Sequence, residues 1–342
     1  MTTASEAMPP RIGIYCDLGK TSGAGHFVRC TALGAALVSR GADVTIAADS
    51  ESVPWTKQLA TSYGINAVQC DDVSKLTRIA QRRSWVAVVV DSYTIQAADV
   101  LPLKVPLVVI DDKATRPLPA QLIVNQNLSA HGYDYSAWKN ATALLGPAYA
   151  LVRPELLAGR SVTYRQRSWD GRAQRVLVIC GGTDSAGAAT PLMQRTLDTV
   201  IPVDIRIIAS PDHTQSMLDE LAIPTDSTVT PIPQTPAVAE LMNWADLVIT
   251  TAGSTVWELC CLGVPMALVV VADNQHEHYQ AAVQTGVAIG LGTINEVASA
   301  DSLPHPQELT TPTALNAYGE RAWQTVDGLG AARVACAVVE LL

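Results

Sequence analysis

One stretch constrains the fold of this chain more than any other: ADLVITTAGSTVWELCCLGVPMALVVVADNQ, residues 245–275. Residues 247–250 are a short apolar run rich in β-branched side chains, the pattern of a buried strand. Thr251, Ala252, Gly253 and Ser254 interrupt it with small residues, and Ser254 or Thr255 can cap a helix that follows. Gly263 stops that helix and Pro265 prevents its continuation. Residues 266–271 are a second buried strand, and Asp273, Asn274 and Gln275 leave its carboxyl end. Ligands of open α/β sheets bind at that end of the strands. Small residues let a ligand approach the backbone, and the helix start offers unpaired N–H groups and the positive end of a dipole. The pattern therefore predicts an anion site of the kind that takes phosphate. Glu258 stands about one helical turn further on. Its carboxylate can accept hydrogen bonds from the vicinal hydroxyls of a ribose. The alternative is an ordinary helix start with a solvated glutamate.

The same grammar runs through the rest of the chain and predicts an α/β protein. Residues 11–17 read as a strand, 18–25 as a loop of small residues, 26–40 as a helix and 44–48 as the next strand. Phe27, Leu33 and Leu37 share one helix face. Gly23 and Gly25 followed by Asp49 mimic a dinucleotide fingerprint. Val28 stands where the third glycine belongs, however, and the His26 ring crowds the turn, so no NAD site is expected. His26 lies at a helix N-terminus past the end of the first strand. There the dipole disfavours imidazolium, which leaves a neutral base or a histidine bonded to local backbone. Helices over 52–63 and 75–83 and strands over 66–69 and 85–90 follow. The strand over 85–90 ends in Asp91, Ser92 and Tyr93, where Tyr93 alone reads as a ring packed at a strand end. The apolar runs over 107–112 and 122–128 and the segment 144–155 close this half.

Residues 158–174 carry many arginines and no apolar period, so the domain boundary is placed there. Residues 175–180 restart the pattern, and Gly181, Gly182, Thr183 and Asp184 form a second small-residue turn. The tail from 314 reads as two helices broken near Gly328 to Gly330, with Val334, Val338, Val339 and Leu342 on an apolar face. The expected organisation is a first domain over 1–157, a linker over 158–174, a second domain over 175–312 and C-terminal helices over 313–342.

The formal net charge of −9 leaves no basic footprint for a nucleic acid. The seven cysteines show no metal-binding spacing and read as small buried hydrophobes of a reducing compartment. The first residues, MTTASEAMPPR, lack the apolar core of a signal peptide, and no run is long enough to span a bilayer. A cytoplasmic protein is expected. His276, Glu277 and His278 alternate without a third ligand in view and are read as solvated, not as a metal site.

Several motifs resemble one family. A-G-S-T-x-W-E at 252–258, then C-L-G-x-P and D-N-Q, are similar to the nucleotide site of the UDP-2,4-diacetamido-2,4,6-trideoxy-β-L-altropyranose hydrolases of the pseudaminic acid pathway. These are relatives of the GT-B glycosyltransferases that build peptidoglycan lipid intermediates. G-x-G-H-x-x-R-C at 23–30 resembles the N-terminal signature of the same family. The resemblance implies a GT-B-like fold of two Rossmann-like domains whose parallel sheets face a cleft, the last helix crossing back onto the first domain. It implies diphosphate at Ala252, Gly253, Ser254 and Thr255, ribose at Glu258, and a further nucleotide contact at Gly182, Thr183 and Asp184. It makes His26 the base toward water and adds Tyr93 and Asn274 as catalytic partners. Asp17, Gly25, Arg29 and Gln275 match further substrate-binding positions.

The implied reaction is hydrolysis of a UDP-activated amino or deoxy sugar at the anomeric carbon, with inversion and with neither metal nor cofactor. Gln121 and Gly187 stand where the family carries aspartate and asparagine, and Lys113 and the loop after it are atypical, so the sugar is left open. A GT-B glycosyltransferase with a small-molecule, lipid or peptide acceptor would use the same site. A nucleotide-sugar epimerase and a non-catalytic nucleotide-sugar sensor are the other readings. Oligomeric state is not legible.

Overall fold

The computed structural model describes residues 8–19, 23–161, 164, 174–181, 184, 186–200, 202–209, 217–233, 235 and 237–342. Among the described residues, thirteen strands build two sheets. The first contains β1 (Arg11–Cys16), β2 (Asp43–Ala48), β3 (Asn66–Gln69), β4 (Ala87–Asp91), β5 (Leu107–Ile110), β6 (Leu122–Asn125) and β7 (Thr142–Leu145). The second contains β8 (Gln174–Ile179), β9 (Val203–Ile208), β10 (Thr228–Ile232), β11 (Leu247–Thr251), β12 (Met266–Val270) and β13 (Ile289–Thr293). Their orders are β3-β2-β1-β4-β5-β6-β7 and β10-β9-β8-β11-β12-β13. Every neighbouring pair is parallel, from β1 with β2 and β4 to β12 with β13. Central strands such as β4 and β12 are buried along their whole length. That is why they read as continuous apolar runs and not as alternating ones.

Each sheet reverses its strand order once, between β1 and β4 and between β8 and β11. A crevice opens at the carboxyl ends of the strands at such a switch point. The stretch at 245–275 supplies β11, the Thr255–Leu262 helix and β12 beside the second switch point. The loop after β1 and the Gly25–Val38 helix occupy the first. That helix begins and ends earlier than its sequence pattern predicts. Ser254 takes the N-cap position of the Thr255–Leu262 helix, but its hydroxyl makes no capping bond, which corrects the expected cap.

Most of the arginine-rich segment placed at the domain boundary lies outside the described residues, and the segment just before it packs in both cores. Leu151 packs in the first core, whereas Ala150, Val152 and Leu156 pack in the second. An extended backbone turns successive side chains to opposite sides, so one short segment serves both cores. The C-terminal helices divide similarly. Only the Gly330–Val339 helix returns to the first domain, burying Ala331, Val334, Ala335 and Val338 against the Gly25–Val38 helix side of the sheet. The Pro312–Thr325 helix stays on the second domain, where Ala322 is buried. Val339 and Leu342, expected on the apolar face, are exposed, because the stripe follows Ala331, Val334, Ala335 and Val338. All seven cysteines are free thiols, six of them buried.

Gly330 starts the returning helix against the interdomain segment. A Cβ on it would stand 2.3 Å from the Ala150 carbonyl oxygen. Gly330→Ala is therefore expected to lower stability by about 1–3 kcal/mol, read as a fall in the urea midpoint. Gly132→Ala is the control, because a Cβ there meets nothing within 4 Å. Equal midpoints for the two variants would show that the contact does not hold the helix in place.

Candidate active site

A cleft of about 520 Å³ runs between the domains and is lined from both. The two turns singled out by sequence meet across it: a Cβ on Gly25 would stand 3.3 Å from Ser254 Oγ. His26, in the first turn of the Gly25–Val38 helix, faces this cleft with its ring almost buried. Its Nδ1 lies 2.6 Å from Asp91 Oδ1. An ionised carboxylate only accepts hydrogen bonds, so Nδ1 is the donor in this contact and Nε2 is the nitrogen it leaves over. The ring is thus held by a carboxylate and not by local backbone.

Asp91 ends β4, directly beside the end of β1, since Cys16 and Asp91 are register partners. Asp112 follows β5, the next strand. Arg29, three residues after His26 and so on the same helix face, lies between the two carboxylates. Its Nε and Nη2 donate to Asp91 at 2.6 Å each, and its Nη1 and Nη2 donate to Asp112 at 3.0 Å each. Burial alone would raise both carboxyl pKa values. Burial is the largest single influence, but the Arg29 charge and hydrogen bonds, together with His26 at Asp91 and the Tyr93 hydroxyl at Asp112, outweigh it and hold both below the usual carboxylate range. Burial works against the guanidinium too, but Asp112 and Asp91 hold its pKa well above the ordinary value.

Tyr93 completes this cluster. Its hydroxyl donates to Asp112 Oδ2 at 2.7 Å, and its ring meets His26 edge-on with centroids 4.6 Å apart. Desolvation and the charge of Asp112 push its pKa upward, so the phenol stays protonated. Asn127 Nδ2 donates to Asp112 Oδ1 at 2.9 Å.

Asp17 accepts from the backbone N–H of Tyr93 at 2.8 Å and is absent from the described cleft lining. Arg29 borders the cleft and directs its donors to two carboxylates.

The second domain contributes the opposite wall. Ala252, Gly253, Ser254, Thr255, Glu258, Asn274 and Gln275 all line it. Glu258 is buried, not solvated. Arg153, from the interdomain segment, grips it with Nε to Oε1 at 2.7 Å and Nη2 to Oε2 at 3.1 Å. Each carboxylate oxygen keeps a second lone pair for another donor. Gln275 folds back so that its Oε1 accepts from the Val271 N–H at 3.0 Å. Asp184 also borders the cleft, and its carboxylate accepts from the N–H groups of Ala188 and Ala189 at the start of the next helix. Gly182 and Thr183 lie outside the described residues.

His278, read from sequence as solvated, is instead packed in the cleft wall against Trp257, with ring centroids 4.8 Å apart. Desolvation lowers its pKa to about 4. His276 is exposed. Among the described residues no group of three or more His, Cys, Asp or Glu is placed to hold a metal ion. No described helix is long and apolar enough to cross a membrane.

Sequence reasoning assigned no role to Asp91, Asp112, Asn127, Arg153 or His278. Asp91 and Asp112 did carry a signal, since each ends an apolar run on a strand that neighbours the next in the sheet. Arg153 carried none, because its partner lies in the other domain.

Comparison with known proteins follows this geometry. Residues 176–300 match the glycosyltransferase family 28 C-terminal domain. An uncharacterized protein of Methanocaldococcus jannaschii, MJ1062, is 22% identical over 285 residues, covering 79% of this chain. The chain spans only 57% of that relative's length. Among solved structures, MurG of Acinetobacter baumannii superposes with a TM-score of 0.66 at 15% identity, over 97% of this chain and 100% of its own. MnaA of S. aureus, solved with UDP, gives 0.65 at 12% identity, over 97% and 98%. The spinosyn rhamnosyltransferase SpnG, solved with thymidine diphosphate, gives 0.54 at 16% identity, over 97% and 95%. With the two parallel sheets, these similarities establish a GT-B-like α/β fold. The matched family is a glycosyltransferase one, and it falls on the half that carries the Gly253 turn.

Asp91, Asp112 and His278 all hold native pKa values below the ordinary ones, so each binds fewer protons folded than unfolded. Their contribution to stability is complete above about pH 6.5 and is lost as the pH falls. His278 accounts for the loss between about pH 6.5 and its native value of about 4, and the two carboxylates for the loss below about pH 4. Urea midpoints measured from pH 8 to 3 are expected to fall in that order, and His278→Phe removes the upper part. A wild-type midpoint unchanged between about pH 6.5 and 4 would contradict the buried neutral imidazole.

Proposed function

We propose that this protein transfers a glycosyl group from a nucleoside diphosphate sugar to the hydroxyl of an acceptor. The observation that carries this reading is the placement of a carboxylate-held imidazole, His26, across the cleft from a family 28-like domain whose Gly253 turn opens a helix. The diphosphate is assigned to the Ala252–Thr255 turn, where helix N–H groups meet its charge. The ribose is assigned to Glu258, held in orientation by Arg153. The sugar then lies between Asn274 on one wall and His26 and Tyr93 on the other.

In the reaction, the acceptor oxygen attacks the anomeric carbon while its proton passes to His26 Nε2. The bond from that carbon to the diphosphate oxygen breaks, and the electron pair leaves with the nucleotide. A single displacement inverts the anomeric centre. Charge growing on the diphosphate is met by fixed N–H dipoles at the helix start. Asp91 keeps His26 in the tautomer that presents Nε2 and stabilises the imidazolium that forms. Arg29 keeps Asp91 ionised throughout.

Water as the nucleophile is the second reading, a nucleotide-sugar hydrolysis. It is favoured by the resemblance of the 23–30 motif and by the Tyr93 hydroxyl beside His26, which can hold a small nucleophile. The sugar itself, an amino or deoxy hexose in that reading, belongs to this proposal too.

A panel of UDP-sugars and dTDP-sugars incubated in 18O water, with and without a cell-extract acceptor fraction, separates the two. Nucleotide released only with the extract, and sugar found on an acceptor, is expected for the transferase. Label in free sugar, none in the nucleotide and no need of extract would give the hydrolase. His26→Ala is expected to lower turnover by about 10²- to 10⁴-fold while nucleotide affinity is retained. Turnover equal to wild type in that variant would remove His26 as the base.

A further inference from the structure

His278 has a role that the reaction above leaves unused. It sits in the first turn of the His276–Gln284 helix of the second domain, and its Nδ1 lies 3.1 Å from Asn127 Oδ1 of the first. Its protonation pattern follows from a chain of neighbours. Asp112 is paired with Arg29 and is an acceptor only, so the Asn127 group facing it at 2.9 Å must be the amide N–H. That orientation turns the Asn127 oxygen toward His278. The contact at 3.1 Å is then a donation from His278 Nδ1–H, and Nε2 is left as a bare lone pair in a neutral ring.

Nε2 is shut off from bulk solvent and has no hydrogen-bond partner among the described residues. Native structures satisfy nearly all buried polar atoms, and the exceptions call for a bound partner or a functional reason. The ring borders the interdomain cleft. Its Nδ1 contact bridges the two domains and fixes the ring beside the cleft.

We infer that His278 Nε2 is a specificity-determining acceptor that takes a hydrogen bond from a hydroxyl or amide N–H of the bound glycosyl group. This deepens the proposed function and rests on it. A lone pair repels phosphate oxygens and carboxylates, which are acceptors as well, so the diphosphate is excluded as the partner. The remaining ligand chemistry near this wall is a neutral donor of the sugar, an alcohol or an acylated amine. Trp257 at 4.8 Å gives the imidazole a rigid backing, which favours one donor position over others.

Two isosteric replacements separate the nitrogens. Asparagine at 278 reproduces the group at Nδ1 and keeps the Asn127 bond but lacks anything at Nε2. Glutamine places an amide near Nε2. Binding of UDP and of UDP-N-acetylglucosamine to wild type, His278→Asn, His278→Gln and His278→Phe is measured by calorimetry, with thermal midpoints confirming the fold. The expected result is an affinity for UDP-N-acetylglucosamine lowered about 10- to 100-fold in the Asn and Phe variants, partial recovery in the Gln variant, and UDP affinity unchanged in all. If Phe disturbs the domain contact, the Asn variant alone decides. Wild-type affinity for UDP-N-acetylglucosamine in His278→Asn, or equal losses for UDP and for the sugar nucleotide, would overturn this inference and leave the proposed function standing. Failure of the wild type to bind either nucleotide would overturn the proposed function and this inference with it.

Discussion

One guanidinium organises the first domain's side of the cleft. Arg29 lies between Asp91 and Asp112, two carboxylates that parallel strands bring together at their carboxyl ends. Without a cation between them, burial would drive at least one to protonate. Asp91 would then lose the charge that fixes His26 Nδ1 as a donor, and Asp112 the charge that orients Tyr93 and Asn127. Ion pairs of this kind add little net stability because desolvation offsets attraction. Their value here is geometric: they hold three polar side chains in defined hydrogen-bonding roles in a cleft lined by both domains.

Among the polar links that tie the domains across the cleft, two end on groups assigned to ligand contact. Arg153 meets Glu258, and Asn127 meets His278. The backbone segment around Ala150 to Leu156 alternates its side chains between two cores, and the Gly330–Val339 helix returns to the first domain. The chain therefore passes between the domains more than once. The two small-residue turns approach each other across the cleft at Gly25 and Ser254.

Much of this was legible because parallel sheets write themselves plainly. A strand buried on both faces is an apolar run, and a glycine or small-residue turn before a helix marks its carboxyl end. The runs at β1, β4, β11 and β12 and the turns at Gly25 and Gly253 were found that way. Partners drawn from other elements were not legible in this way. Asp17, Arg29 and Gln275 sit where substrate contacts were expected, yet each has its polar atoms drawn to a neighbour: the Tyr93 backbone, two carboxylates and the Val271 backbone. His278 looked solvated because alternating polar residues usually are, but a tryptophan from a different helix covers it.

The amino-acid sequence by itself determined the alternation of strands and helices, the two-domain α/β architecture and the positions of the small-residue turns before the helices. These depend on local periodicity, on glycine and proline, and on residues within one supersecondary unit. Only the tertiary structure decided which nitrogen of His26 is basic, which groups Arg29 neutralises, that Glu258 is gripped by Arg153, and that His278 keeps an unpaired lone pair. Those outcomes depend on contacts between residues 62 to 151 positions apart in the chain, as between Arg29 and Asp91 or between Asn127 and His278. No local pattern encodes such a pairing. It arises when parallel strands align their ends and when two sheets are brought face to face.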